Sequence, residues 1–174
     1  MATSSHEPLR RIAEATKSTF ALYKEGVYLE GSAQRSLEDL RHQATADRLR
    51  MARDLVRSGE RFLKMRPPEY RSAISRFYYS MYHSMRAVVY FTVGGDDHQD
   101  HGTLPKSTPT DFPDRSFWEN ALKNARTSRN SADYDPYPLQ CNHWRSIAVD
   151  LAGETNRLLA LADTYLGQKG CDHL

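Results

Sequence analysis

The stretch EYRSAISRFYYSMYHSMRAVVYFTV, residues 69–93, decides the fold, because more than half of its side chains are apolar or aromatic. They recur at helical spacing on more than one stripe, and no stretch of useful length alternates like a strand. A helix with so wide an apolar surface lies at the centre of a bundle or is buried on two sides. Pro67-Pro68 before it and Gly94-Gly95 after it mark its ends. We therefore predict an all-α protein whose core helix spans about residues 69–93.

The composition indicates which broad class of protein to expect. The chain has 174 residues, of which 39 % are hydrophobic and 26 % charged, so we expect one ordered domain with an appendage. The net charge of +2 shows no global basic excess of the kind that announces nucleic-acid binding by itself. No apolar run has the length of a membrane span, and residues 1–8 do not follow the order of a signal peptide. We predict a cytoplasmic protein whose two cysteines are reduced.

The flanking segments are also helical in pattern. Apolar periodicity predicts further helices over about residues 9–28, 37–64, 114–132 and 139–166. Ser36 and Asp39 resemble a capping box, and the second of these helices could be broken near residues 42–46. The polar, proline-containing segment 96–114 is predicted to be a long loop. The resulting division is an N-terminal helical extension, a helical bundle and a disordered tail, over residues 1–42, 43–166 and 167–174.

Three short motifs carry a family resemblance. They are RFYYSMYHSMRA at residues 76–87, DHG at 100–102 and RNSADY at 129–134. In this order and spacing they resemble the HEPN superfamily, in particular its small prokaryotic branch with a tyrosine-rich second helix and an Arg-x-x-Ala-Asp-Tyr signature. The resemblance covers about residues 43–165. It implies an antiparallel four-helix bundle, here with an extra N-terminal helix, that forms a homodimer.

The same resemblance implies a function. HEPN proteins are often RNA-cleaving toxins or defence effectors, and many are encoded beside a small nucleotidyltransferase that neutralises them. Active members carry an Arg, then four to six residues, then a His, and cut RNA without a metal. Here four residues after Arg129 lead to Tyr134, and the nearest downstream histidine, His143, lies beyond two prolines. Since tyrosine is a poorer proton shuttle than histidine at neutral pH, we predict weak or absent ribonuclease activity.

The leading hypothesis is therefore an RNA- or nucleotide-binding HEPN protein in a toxin–antitoxin or defence setting, with a degenerate ribonuclease motif. One alternative is a non-catalytic helical module that docks a nucleotidyltransferase, which would modify the hydroxyl of Tyr134 as related proteins are modified on a tyrosine. A second alternative is a metal-independent endoribonuclease that recruits His83 or His101 from another helix or loop.

The candidate site residues follow from these hypotheses. Arg129, Asp133 and Tyr134 could form a polar cluster that reaches a phosphate, because a guanidinium suits phosphate oxygens. The competing interpretation is an ion pair of Asp133 with Arg129 at an exposed helix end, where either residue would add little stability. Further candidates for contact with RNA or a nucleotide are Arg76, Tyr79, Tyr82, His83, Arg86, His101 and Arg126.

Two further expectations concern metals and partners. His98, Asp100 and His101 are residue types that bind metals, but a loop with His-x-x-His and no cysteine is a weak signal. We predict neither a metal nor a cofactor. The core helix carries more apolar surface than one bundle needs, and this surplus predicts the homodimer.

Overall fold

The computed structural model describes residues 7–174, and this part of the chain contains six α-helices, one short 3₁₀ helix and no strand. The predicted all-α fold is confirmed. The helices are α1 Glu7–Ala13, α2 Lys17–Ala33, α3 Leu37–Lys64, α4 Tyr70–Val93, α5 Arg115–Tyr134 and α6 Cys141–Gln168, and the 3₁₀ helix is Leu104–Ser107. None of the helices within residues 7–174 is both long and apolar enough to cross a membrane.

The chain divides into two compact units between Arg41 and His42. The first unit contains two helices where the sequence predicted one over residues 9–28, so that prediction was wrong. Thr16 separates them, because its Oγ1 accepts a hydrogen bond of 3.2 Å from the backbone N–H of Thr19. A threonine in this position caps the start of a new helix.

The turn between α2 and α3 is fixed by local hydrogen bonds. Gln34 adopts a left-handed conformation (φ 54°) and ends α2. Glu30 Oε1 accepts from the N–H of Leu37 at 2.8 Å, and Ser36 Oγ accepts from the N–H of Asp39 at 3.1 Å. The predicted cap at Ser36 is confirmed. α3 then runs without interruption, so the suggested break near residues 42–46 is absent from this part of the described chain.

The second unit, residues 42–174, is an antiparallel four-helix bundle formed by most of α3 together with α4, α5 and α6. α3 and α4 are antiparallel, because residues later in α4 contact residues earlier in α3. Ser80 Oγ in α4 donates to the carbonyl oxygen of Ala52 in α3, while Phe77 lies against Gly59, further along α3. A Cβ at Gly59 would lie 2.6 Å from the Phe77 ring, so the close approach of α3 and α4 requires glycine there.

The core helix is α4, as predicted from its apolar width. Its bounds, Tyr70–Val93, confirm the predicted span. Apart from Val93 at its C-terminal end, its large apolar side chains are mostly covered within the chain itself, and the fully buried ones include Ile74, Phe77, Met81, Met85 and Val88. The surplus of apolar surface that predicted a dimer through this helix is therefore absorbed by α3, α5 and α6.

The remaining segments close the bundle. The predicted loop over residues 96–114 contains the 3₁₀ helix and buries Leu104 and Phe112. The C-terminal residues differ from the predicted disordered tail over residues 167–174. α6 extends to Gln168, and Cys171 is buried with its N–H donating to the carbonyl oxygen of Leu166 at 2.9 Å.

Candidate functional site

The site is built on the last turns of α5, where Arg129 points back toward α4. Its Nη2 donates to the hydroxyl of Tyr79 over 2.8 Å, and its Nε lies 3.6 Å from Asp133 Oδ2. The guanidinium carbon lies 5.3 Å and 5.1 Å from the ring centroids of Tyr78 and Tyr79. Only 12 % of the Arg129 side chain is exposed. The expectation of an exposed arginine at a helix end was therefore wrong, because two tyrosine rings cover it.

His101 approaches the same place from the loop after α4. Asp100 shapes this loop, because its Oδ1 accepts from the backbone N–H groups of Gly102 at 2.7 Å and Thr103 at 3.1 Å. These bonds also hold the pKa of Asp100 below its usual range. The imidazole of His101 forms a 2.5 Å hydrogen bond through Nδ1 with the hydroxyl of Tyr78.

Tyr82 supports the other side of the imidazole. Its ring stacks on that of His101 with centroids 4.2 Å apart and an interplanar angle of 29°. The Tyr82 hydroxyl donates to the carbonyl oxygen of Gln99 and accepts from Arg86 Nη1 at 3.3 Å. The loop is thus held against α4 at both Gln99 and His101.

His101 and the end of α5 enclose an open cleft of about 430 Å³. Its lining residues are His101, Arg126, Thr127, Arg129, Asn130, Ser131, Tyr134 and Asp135. Arg126 is exposed, whereas Arg129, one turn later, is held by its tyrosines. The cleft therefore combines an exposed cation and a largely buried one with an imidazole.

Burial and the two arginines set the electrostatics of this cleft. Burial lowers the pKa of His101, and the positive charges of Arg129 and Arg126 lower it further, while Asp100 acts in the opposite direction. Burial raises the pKa of Tyr78 to about 12, against the influence of Arg129 and Arg126. At neutral pH the Tyr78 hydroxyl is protonated and His101 is predominantly uncharged.

A second group of charged residues lies behind Tyr82. Arg86 forms a two-pronged ion pair with Asp96, and Arg48 lies 3.6 Å from the same carboxylate. The hydrogen bond to Arg86 lowers the pKa of Asp96. His83 is adjacent, and burial, followed by Arg48 and Arg86, lowers its pKa to about 4.

The structure thus separates the predicted site residues. Arg126, Arg129, Tyr134 and His101 line the cleft, and Tyr79, Asp133 and Tyr82 contact members of that group from the side. Arg86 and His83 belong to the Asp96 group and do not line the cleft. Arg76 is exposed on α4, and none of the contacts of residues 7–174 joins it to the cleft.

Arg71 is the residue that sequence reasoning missed. Its Nε donates to the carbonyl oxygen of Ala132 at 2.8 Å, and its Nη2 donates to those of Ser131, at 3.2 Å, and Asp135. Its guanidinium carbon also lies 4.5 Å from the ring centroid of Trp144. Arg71 therefore satisfies carbonyls at the C-terminus of α5 and places a positive charge where the helix dipole is negative.

No family model, no curated protein and no solved structure matches this chain. The three motifs are therefore what the chain shares with HEPN proteins.

Proposed function

We propose that the chain is a HEPN-type protein that binds RNA or a nucleotide through a phosphate held in the cleft between His101 and the end of α5. The observation that carries the proposal is the convergence of three groups, the guanidinium groups of Arg126 and Arg129 and the imidazole of His101, on one open cavity.

The charge and geometry of the cleft suit a phosphate. Arg129 is held by the hydroxyl of Tyr79 and by the rings of Tyr78 and Tyr79. Little side-chain entropy is therefore lost when it binds an anion. Arg126 keeps its freedom and can adjust to the bound group. Asp133 lies beside Arg129 and Asp135 is exposed at the rim, and these carboxylates favour a ligand of limited negative charge, such as a phosphodiester.

The setting comes from the family resemblance. A HEPN protein with this degenerate motif would act in a toxin–antitoxin or defence system, in the cytoplasm, by binding RNA rather than by cutting it. Tyr134 stands where active relatives have a histidine, and its side chain is exposed.

Fluorescence anisotropy with a labelled single-stranded RNA tests the proposal, with mononucleotides as competitors. We expect binding that weakens as salt increases, because phosphate contacts release counterions. If a free mononucleotide displaced the labelled RNA, the group recognised by the cleft would be a nucleotide. The absence of binding to RNA and to every mononucleotide at low salt would contradict the proposal.

A second candidate function is docking of a nucleotidyltransferase. The exposure of Tyr134, 74 % of its surface, favours it, because the hydroxyl at the cleft rim is accessible to another enzyme. The reaction would transfer a nucleotidyl group from a nucleoside triphosphate to that oxygen, with release of pyrophosphate. Mass spectrometry after incubation with a nucleotidyltransferase encoded beside the gene would show one added nucleotidyl group, lost in Tyr134→Phe.

The third candidate is a ribonuclease with a recruited histidine. His101 lies in the cleft with Arg129, whereas His83 lies in the Asp96 group outside it, so only His101 meets the geometric requirement. Whether His101 can act as a base depends on which nitrogen carries its proton.

We also propose a homodimer, now through α2 rather than α4. This helix has no buried residue, and its exposed apolar side chains include Leu22, Val27 and Tyr28. An antiparallel pairing with a second copy would place Phe20 against Val27 and Lys17 against Glu30, which joins apolar to apolar and positive to negative. Light scattering should give twice the 20.0 kDa chain mass at micromolar concentration. A single-chain mass would contradict the dimer.

A further inference from the structure

We propose that Tyr78 fixes His101 as the neutral tautomer with its proton on Nε2, and that this N–H donates to a phosphate oxygen in the cleft. The second half of this inference rests on the proposed function, whereas the first half can be measured without any ligand.

The first step is the need of the Tyr78 hydroxyl for an acceptor. Tyr78 is only 2 % exposed, and among residues 7–174 its hydroxyl has one hydrogen-bond partner, His101 Nδ1 at 2.5 Å. A buried O–H without an acceptor loses its hydration without compensation. The hydroxyl therefore donates to Nδ1, and that nitrogen must offer its lone pair.

The second step excludes the other protonation states of the imidazole. A proton on Nδ1, in the other neutral tautomer or in the cation, would face the hydroxyl and leave the Tyr78 proton without an acceptor. The cation would also lie near Arg129 and Arg126, whose charges disfavour it. The burial that raises the pKa of Tyr78 prevents the remaining arrangement, in which the tyrosine is ionised.

The third step concerns the other ring nitrogen of His101, Nε2, and its access to the cleft. His101 Nε2 has no hydrogen-bond partner among the described residues, and it is not one of the buried polar atoms that lack a partner. It is therefore accessible to solvent, and His101 lines the cleft. In the neutral tautomer set by Tyr78 this atom carries a hydrogen and acts only as a donor.

The chemical consequence separates binding from cleavage. A neutral imidazole with a proton on Nε2 can donate a hydrogen bond to a phosphate oxygen, but it cannot accept a proton from a 2′-hydroxyl through that atom. With Tyr134 in the position of the missing histidine, the cleft has donors for a phosphate and, among its described lining residues, no imidazole nitrogen that could accept a proton. The cleft is thus a site that holds phosphate-bearing ligands without imidazole-catalysed cleavage.

Nitrogen NMR of ¹⁵N-histidine protein tests the tautomer directly. His101→Gln assigns the resonances by their disappearance. We expect Nδ1 of His101 to show the shift of an unprotonated nitrogen and Nε2 that of a protonated one at neutral pH. In Tyr78→Phe, which keeps the ring, we expect exchange between tautomers and an increase in the pKa of His101. A protonated Nδ1 in the unaltered protein overturns the inference, whether or not RNA binds.

The donor role is tested by titration with inorganic phosphate and with a short uridine oligonucleotide. We expect both to shift the Nε2 resonance of His101. His101→Ala should weaken oligonucleotide binding about tenfold, as for loss of one hydrogen bond to a charged group. His101→Gln, which keeps an N–H donor but no base, should bind nearly as well as the unaltered protein. His98→Ala, in the same loop, is the matched control.

Two results would count against the donor role. An Nε2 resonance that no ligand shifts would overturn it while leaving the tautomer established. If Arg126→Ala still weakened binding in that case, the proposed function would stand without His101. If nothing bound the cleft, the proposed function would fail, and the tautomer would still be decided by the ligand-free spectrum.

Discussion

Arg129 in α5 and Tyr79 in α4 are joined by a hydrogen bond of 2.8 Å from guanidinium to hydroxyl, which links the helix of the Arg-x-x-Ala-Asp-Tyr signature to the core helix. The guanidinium also packs against the rings of Tyr78 and Tyr79. Arg129 is therefore both a packing residue and a lining residue of the cleft, and we expect its loss to affect stability as well as the proposed binding of phosphate.

We predict that Arg129→Ala lowers the free energy of unfolding by about 1–3 kcal/mol, from one lost hydrogen bond and the lost cation–π contacts. Urea denaturation measures this loss. Tyr79→Phe, which removes only the hydroxyl, should cost less. An unchanged denaturation midpoint in Arg129→Ala would show that the contacts of Arg129 with the two tyrosines do not stabilise the fold.

Arg71 provides a second stability prediction. Arg71→Ala removes hydrogen bonds to three carbonyl groups and the contact with Trp144, so we expect a loss of about 2–4 kcal/mol. Arg76→Ala, an exposed position on the same helix, should change stability by less than about 0.5 kcal/mol. Equal effects of the two substitutions in thermal denaturation would contradict the assigned role of Arg71.

The fold was predictable because it depends on apolar periodicity. The width of the apolar surface in α4 identified the core helix, and Pro67, Pro68 and Gly94 marked its ends. The break at Thr16 was not identified, because the apolar spacing continues across it and only the side-chain cap reveals it. The order in the C-terminal residues was missed for a similar reason, since one small side chain, Cys171, anchors them in the core.

The site was predictable only in part. The structure brings to one cleft Arg126, which was a further candidate, and Arg129 and His101, which were supplied by the motifs. The motifs gave no indication that Arg86 is committed to Asp96, since that pairing depends on how the loop returns to α4. The role of Arg71 also depends on a long-range contact, 61 residues from Ala132 in the chain, and no local pattern encodes it.

The pH dependence of stability follows from His83. Its pKa falls to about 4 in the folded protein from 6.5 in the unfolded chain, chiefly through burial. The unfolded state therefore binds more protons between these values. The stability that His83 contributes is fully present above pH 6.5 and is lost as the pH falls toward 4. His101, whose pKa is also lowered, acts in the same direction.

We expect protonation of His83 to lower the free energy of unfolding by on the order of 1–2 kcal/mol, a value reduced for the partial exposure of this side chain to solvent. Urea denaturation between about pH 7.5 and 4.5 measures it. His83→Leu should flatten this pH dependence, because it removes the titrating imidazole. The substitution breaks no hydrogen bond of the buried Nδ1, which has no partner among the described residues. A slope equal to that of the unaltered protein would show that His83 is not the group that titrates.

The proposed tautomer of His101, which leaves no imidazole base toward the cleft, predicts the outcome of an RNA cleavage assay. Purified protein should leave RNA intact, with or without a chelator, and Tyr134→Phe should behave alike. Robust cleavage that Tyr134→Phe abolishes would make Tyr134 catalytic. Cleavage that survives this change but is lost in His101→Ala would support the recruited-histidine ribonuclease.

Arg126 gives the most direct test of the proposal that the cleft binds phosphate. Its side chain lines the cleft and is exposed, so we expect its removal to leave the bundle intact. The measurement is the Kd for single-stranded RNA as a function of salt, for Arg126→Ala and for Arg145→Ala, an exposed arginine on α6 outside the cleft. We predict that Arg126→Ala weakens binding about tenfold or more and reduces the salt slope by about one, while Arg145→Ala changes neither. Equal affinities and slopes for the two variants would contradict the claim that the cleft binds phosphate.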